Sequence, residues 1–122
     1  LNGELPLPYL SFGRIRKPWL HPEGISRGWV HKQEYVLSKQ LLRSGTAIGA
    51  LIREAEQAES RLDFIHKLSI ALKEAKETEY WIDLLFHSEY MNQSSYQSLQ
   101  SDSQELIKLL TSIIKTTKSK KD

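Results

Sequence analysis

Apolar residues recur at intervals of three, four and seven along three parts of the chain, a spacing typical of amphipathic helices. These parts cover about residues 33–59, 60–87 and 102–117. Valine, isoleucine and threonine are too scattered to predict strands. Serines and other polar residues at 92–95 interrupt the helical pattern. The sequence therefore predicts an all-α protein, with a helical bundle over residues 32–118.

The segment before this bundle differs in composition. All four prolines and four of the six glycines occur in residues 1–31. Because proline lacks a backbone donor and breaks helix interiors, we predict an irregular arm without a helix longer than about two turns. Trp19, Trp29 and neighbouring aliphatic residues give the arm more apolar mass than a disordered tail usually carries. We therefore expect the arm to pack on the bundle, and we expect residues 119–122 to form a basic tail.

Composition narrows the class of protein. The chain has 122 residues, of which 39% are hydrophobic and 26% are charged, as in an ordinary single soluble domain. No apolar run approaches the ~20 residues that span a bilayer, and no secretory signal is recognisable. The absence of cysteine excludes disulfides, thiol nucleophiles and thiolate metal sites. We expect a cytoplasmic protein with no membrane contact.

Motifs for catalysis are missing from the sequence. The four histidines are His21, His31, His66 and His87. No two of them have the spacing that places two metal ligands on one helix face. There is no nucleophile elbow and no phosphate-binding loop. The glycines of residues 44–49 lie within a helical period without a preceding strand, which favours a packing strip over a phosphate cradle. We therefore expect no enzyme activity, no metal and no cofactor.

Basic residues form one candidate interaction surface. Lys39, Arg43 and Arg53 fall within about 80° of one another at 100° per residue, away from the apolar face of their helix. Such a stripe predicts salt-dependent binding to nucleic-acid phosphates. The alternative is that it pairs with acidic residues of a neighbouring subunit. Lysines at the end of the chain extend the predicted nucleic-acid surface, namely Lys115, Lys118, Lys120 and Lys121.

A second candidate surface would join subunits. Ile70, Glu74 and Trp81 lie together on the second predicted helix, away from its main apolar stripe. Aromatic anchors are enriched at interfaces, so this face predicts a subunit contact; the alternative is that the arm covers Trp81. Gly45 and Gly49, four residues apart, share one helical face and would let another backbone approach closely.

Three segments of the sequence resemble a known family. They are residues 35–58 (YVLSKQLLRSGTAIGALIREAEQA), 63–81 (DFIHKLSIALKEAKETEYW) and 112–118 (SIIKTTK). In this order they are similar to the four-helix-bundle proteins encoded in intervening sequences of bacterial 23S ribosomal RNA genes, also called S23 ribosomal proteins. The similarity extends over residues 32–118, roughly seventy per cent of the chain.

This resemblance implies an antiparallel four-helix bundle that assembles as a barrel-like homopentamer. It also implies relatives that act as accessory proteins of diversity-generating retroelements and bind a reverse transcriptase and nucleic acid. Gly45 and Gly49 would serve close helix packing, and Tyr80 and Trp81 would serve packing or subunit contact. The first helix of the family is replaced here by the irregular arm, which we expect to cover the same groove.

Together these observations predict a non-enzymatic, oligomeric helical-bundle scaffold that contacts RNA or DNA as an accessory protein. The alternative is a protein–protein interaction module without affinity for nucleic acid. The family offers no catalytic motif that could be carried over to this sequence.

Overall fold

The computed structural model describes residues 27–120 and places them in three α-helices. The helices are α1 (Arg27–Glu56), α2 (Arg61–His87) and α3 (Gln93–Ser119), joined by two short loops. The described part of the chain contains no strand, so the predicted all-α class is confirmed. The predicted arm lies outside the described residues up to Ser26. Between Arg27 and Lys120, no helix is long and apolar enough to cross a membrane.

Local capping explains where two of the helices begin. The Ser60 hydroxyl accepts a hydrogen bond from the backbone N–H of Asp63 at 3.0 Å, and the Asp63 carboxylate lies in the first turn of α2. Asn92 caps α3 in the same manner, because its side-chain oxygen accepts from the N–H of Ser95 at 2.7 Å. Each cap satisfies a backbone donor that the first helical turn would otherwise leave free.

Two helices begin earlier than the sequence pattern predicted. The first starts at Arg27 rather than near residue 33, because the last proline of the sequence is Pro22 and nothing after it blocks helical hydrogen bonds. The third starts at Gln93 rather than near residue 102. Its serine-rich beginning is anchored by the ring of Tyr96, which stacks on Phe86 with 4.0 Å between centroids.

The middle helix organises the packing. It contacts both α1 and α3, whereas within residues 27–120 α1 and α3 make no backbone approach to each other within 8 Å. Ala71 and Ala75 of α2 are completely buried, and their small side chains let the flanking helices come close. The larger of two apolar clusters unites all three helices through Ile48, Ala55, Leu68, Ala71, Ala75, Leu110 and Ile114. The second cluster contains Leu37, Leu84 and Leu85.

Candidate interaction surface

An apolar groove lies between α1 and α3, because these helices flank α2 and their backbones stay more than 8 Å apart. Its volume is about 390 Å³. Leu42 on one rim is 67% exposed and Leu99 on the other is 39% exposed. One side of α2 forms the floor of the groove with Ala75, Thr78 and Ile82. Apolar side chains left open to solvent on a small protein are typical of a contact surface.

Next to this groove runs a strip of small residues on α1. We define the small-residue strip as Gly45, Thr46, Gly49 and Ala50, all of which are exposed. A Cβ atom placed on Gly45 or Gly49 would have no atom within 4 Å besides its immediate surroundings in the helix. Neither glycine therefore serves close packing between the described helices.

Arg43, from the predicted basic stripe, is bound within its own chain. Its guanidinium donates to the carboxylate of Glu77 and, at 3.5 Å, to that of Glu74, so one arginine of α1 bridges two acids of α2. The hydrogen bond to Glu77 raises the pKa of Arg43 above its ordinary value. The indole N–H of Trp81 donates to Glu77 at 3.2 Å. This bond and the Arg43 contact lower the pKa of Glu77.

The two predicted surfaces thus meet within the chain at one point, where Arg43 of the basic stripe binds Glu74 of the other surface. Ile70, Glu74 and Trp81 are half-buried rather than freely exposed. Trp81 packs against the cluster of Leu37, Leu84 and Leu85, and Tyr80 does the same beside it. The acidic partners that were considered for a neighbouring subunit, Glu74 and Glu77, are used by Arg43 of the same chain.

The other basic candidates are spread over both ends of the bundle. Lys39 and Arg53 are exposed on α1 but lie 14 residues apart, about 21 Å along the helix axis. Arg61 donates to the backbone carbonyl of Lys120 at 2.7 Å, which places the end of α3 beside the beginning of α2. The lysines of this end are exposed at Lys115, Lys118 and Lys120, and Lys121 lies outside the described residues.

A polar and aromatic contact that the sequence pattern did not predict joins α2 to α3. The Tyr96 hydroxyl donates to the Asp83 carboxylate at 2.9 Å and accepts from the Gln100 amide at 2.8 Å. Burial and the neighbouring Asp83 raise the pKa of Tyr96 to about 12. The spacing of Tyr96 and Gln100, one helical turn, was a usable signal, but the surrounding serines suggested a loop.

Between residues 27 and 120, no group of three histidine or acidic side chains could hold a metal ion. The polar groups that do come together, around Arg43 and around Tyr96, satisfy one another by hydrogen bonds across neighbouring helices. They act as structural links between helices.

The sequence matches the family model described as 23S rRNA-intervening sequence protein over residues 23–112. The chain belongs to that family. A solved structure similar to it is the crystal structure, at 1.70 Å resolution, of a protein of unknown function from the S23 ribosomal protein family of Bacteroides thetaiotaomicron. The two are 53% identical, the alignment covers 88% of this chain and 94% of the other, and the TM-score is 0.66. Among curated proteins, none matches this chain significantly.

Membership in the 23S rRNA-intervening sequence protein family confirms the family resemblance. It supports the helical fold, and it assigns no activity, because the solved relative has unknown function.

Proposed function

We propose that this protein is a non-enzymatic scaffold that self-associates through the small-residue strip of α1. The observation that carries the proposal is the open space at Gly45 and Gly49, where a Cβ would meet no atom within 4 Å. Glycine inside a helix costs about 1 kcal/mol relative to alanine. Nothing in the described chain offsets this cost by a close approach at either position. A second backbone, packed on the strip, would supply the missing contact.

Two further features support this surface over the Trp81 face. Leu42, 67% exposed, lies one helical turn from Gly45 and Thr46, so apolar area adjoins the strip. Trp81 and Glu74, by contrast, already have partners inside the chain. The family resemblance implies a pentamer, and we therefore propose that the assembly contains five chains.

Gly49→Ala tests the proposal, because it should change the stability of the single chain and the strength of self-association in opposite directions. We expect the added methyl group to raise the helical stability of the single chain by about 0.5–1 kcal/mol. The same methyl group should weaken self-association, since it prevents the backbone of a neighbour from approaching. Light scattering measures the assembled mass against the 14.1 kDa of one chain. Urea unfolding of the dilute protein measures the stability.

Ser112→Ala, an exposed substitution on α3, is the matched control and should leave the assembled mass unchanged. The proposal fails if the wild-type protein has the mass of one chain at about 50 μM, well above the dissociation constant of a specific assembly. It also fails if Gly49→Ala assembles as well as the wild-type protein does.

Nucleic-acid binding is the second candidate function, and the exposed lysines at the end of α3 favour it. Lys115, Lys118 and Lys120 carry free side-chain surface on the last turns, and self-association would repeat them around the assembly. Acidic residues at the same end, Glu56 and Glu59, weaken the local positive potential. In this role the scaffold would hold RNA or DNA for an enzyme such as the reverse transcriptase that the resemblance implies.

Replacing Lys115, Lys118 and Lys120 together with glutamine tests this second function. If the lysines contact phosphates of duplex nucleic acid, the slope of log K against log salt should fall by about 2.7, since each contact contributes about 0.9. Filter binding at several salt concentrations measures this slope. Lys39→Gln, at the other end of the bundle, is the control. Absence of binding by the wild-type protein at low salt rejects the nucleic-acid function.

A further inference from the structure

We infer that one face of α3 in each copy of this chain packs on α1 of the next copy, with Leu109 of one seated on Gly49 of the other. The inference rests on the proposed self-association and names the surface that the small-residue strip binds. We define the outer face of α3 as Ser98, Asp102 and Leu109. These residues are exposed and lie within about 40° of one another around the helix.

A closed assembly of five chains needs two different surfaces on every copy. Because five is an odd number, the copies cannot all be joined by two-fold contacts, so a surface of one copy has to meet a different surface of the next. The strip on α1 supplies one of them. Leu109 marks the other, since it is 57% exposed and does not line the groove between α1 and α3.

The heights of the two surfaces along the bundle agree. α1 and α3 run in the same direction, because each forms an antiparallel hairpin with α2. The groove is lined by residues between 41 and 48 on α1 and between 99 and 106 on α3, so these stretches lie at the same height. Counting equally along both helices places Gly49 level with about residues 107–109, and Leu42 level with about residues 100–102.

Neighbouring copies keep this register if their helices lie along the ring axis. Helices of up to 30 residues are about 45 Å long, and they bury the most surface when copies pack side by side along that length. Rotation about an axis parallel to the helices preserves both direction and height. In such a ring, α1 of one copy therefore faces α3 of the next with Gly49 level with Leu109.

In this register, large side chains on each face come opposite small or polar ones on the other. Leu109 comes opposite Gly49, where an added Cβ would have no atom within 4 Å. Leu42, 67% exposed on α1, comes between Ser98 and Asp102 of the outer face. One contact thus covers two leucines that the single chain leaves exposed to solvent, as expected for an interface.

The charges of the two surfaces have opposite signs. Exposed Lys39 and Arg53 flank the strip on α1, whereas Asp102 lies on the outer face of α3 and exposed Glu105 lies beside it. Between residues 27 and 120, none of these four side chains takes part in an ion pair, since Arg43 forms the pairs found there. Opposite charges favour this pairing of faces and fix its orientation.

A contact between two strips is disfavoured by the same charges. In an antiparallel contact centred on Thr46, Lys39 of each copy would come opposite Arg53 of the other. In a parallel contact, each basic residue would come opposite its own counterpart. Both arrangements bring like charges together, which costs free energy at an interface.

A pair of cysteines tests the inference in the intact chain, which has no cysteine of its own. Within one chain, no Cα atoms of α1 and α3 approach within 8 Å, whereas a disulfide needs Cα atoms about 4.4–6.8 Å apart. A disulfide in the double variant Gly49→Cys/Leu109→Cys therefore joins two chains. Under mild oxidation, we expect a ladder of linked chains on a non-reducing gel that ends at five. Each single variant should stay unlinked.

Leu62→Cys/Leu109→Cys is the matched control and should give no ladder. Leu62 is 79% exposed at the start of α2. It lies 13 residues, about 20 Å along the helix, from Ala75, which packs in one cluster with Ile48 next to Gly49. A ladder from this variant as strong as that from Gly49→Cys/Leu109→Cys would show random collision and would overturn the inference.

Two other outcomes separate this inference from the proposed self-association. Linked dimers of Gly49→Cys alone would show that two strips pack on each other, which supports self-association and overturns the inference. A double variant that has the assembled mass in light scattering but forms no disulfide also overturns it. A wild-type protein with the mass of one chain refutes the self-association itself, and the inference with it.

Discussion

Leu110→Ala is expected to lower the free energy of unfolding by about 2–5 kcal/mol, the range for a leucine removed from a packed core. Leu110 is 2% exposed and packs with Ala71 and Ala75, the fully buried alanines of α2. Among the described helices, α2 alone approaches the backbone of α3 within 8 Å, so the cavity weakens the main packed contact of α3. Urea unfolding followed by circular dichroism at a helical wavelength measures the loss.

Leu109→Ala is the matched control for this substitution. Leu109 lies beside Leu110 on the same helix, has the same side chain and is 57% exposed. Its replacement leaves no buried cavity, so the free energy of unfolding should change by less than about 0.5 kcal/mol. Similar losses for the two variants would show that α3 does not pack on α2 through the face that carries Leu110.

Tyr96 is expected to make the protein lose stability in alkaline solution. Its pKa in the folded chain is about 12, above the ordinary value of 10.0. Below pH 10 the phenol is neutral in both states, and its stabilising contribution is complete. Between about pH 10 and 12 the unfolded chain releases the proton while the folded chain keeps it, so unfolding becomes more favourable. The difference corresponds to at most about 2.7 kcal/mol, and solvent around the partly exposed ring reduces it to about 1–2 kcal/mol.

Tyr96→Phe isolates this effect from the titration of lysines and other tyrosines. The variant loses the hydrogen bonds to Asp83 and Gln100, so it should be less stable than the wild-type protein at pH 8. As the pH rises from 10 to 12, the gap between the two proteins should narrow, because only the wild-type chain has this phenol. Stability measured by urea unfolding at each pH gives the comparison. A constant gap over that interval would contradict the raised pKa.

Signals within one helix allowed the sequence to predict much of the fold. The start of α2 was predictable because Ser60 and Asp63 form a local cap that depends on no other helix. The start of α3 was not, because serines usually favour loops and the anchor is a ring contact between Tyr96 and Phe86 of another helix. Helical periodicity therefore identified the elements, while tertiary contacts decided how far one of them extends.

In the candidate surfaces too, the sequence predicted the features that depend on one helix and missed those that depend on two. The spacing of Gly45 and Gly49 predicted that they share one face of α1, since that follows from helix geometry alone, but it did not predict that both are exposed. The alternative to nucleic-acid binding placed the acidic partner of Arg43 on a neighbouring subunit, whereas Glu74 and Glu77 of the same chain bind it. Finding that partner requires the register between α1 and α2, which helical periodicity does not contain.

The packing of both outer helices on α2 also bears on how the chain can fold. The described domain consists of two overlapping helical hairpins that share α2, and each is closed by a loop of four or five residues, 57–60 and 88–92. Contacts between neighbours in sequence give a low contact order, and such topologies fold in microseconds to milliseconds. Either hairpin can begin to form while the other is still open, because each outer helix approaches only the backbone of α2. One outer helix can therefore detach while the backbone of the other stays against α2.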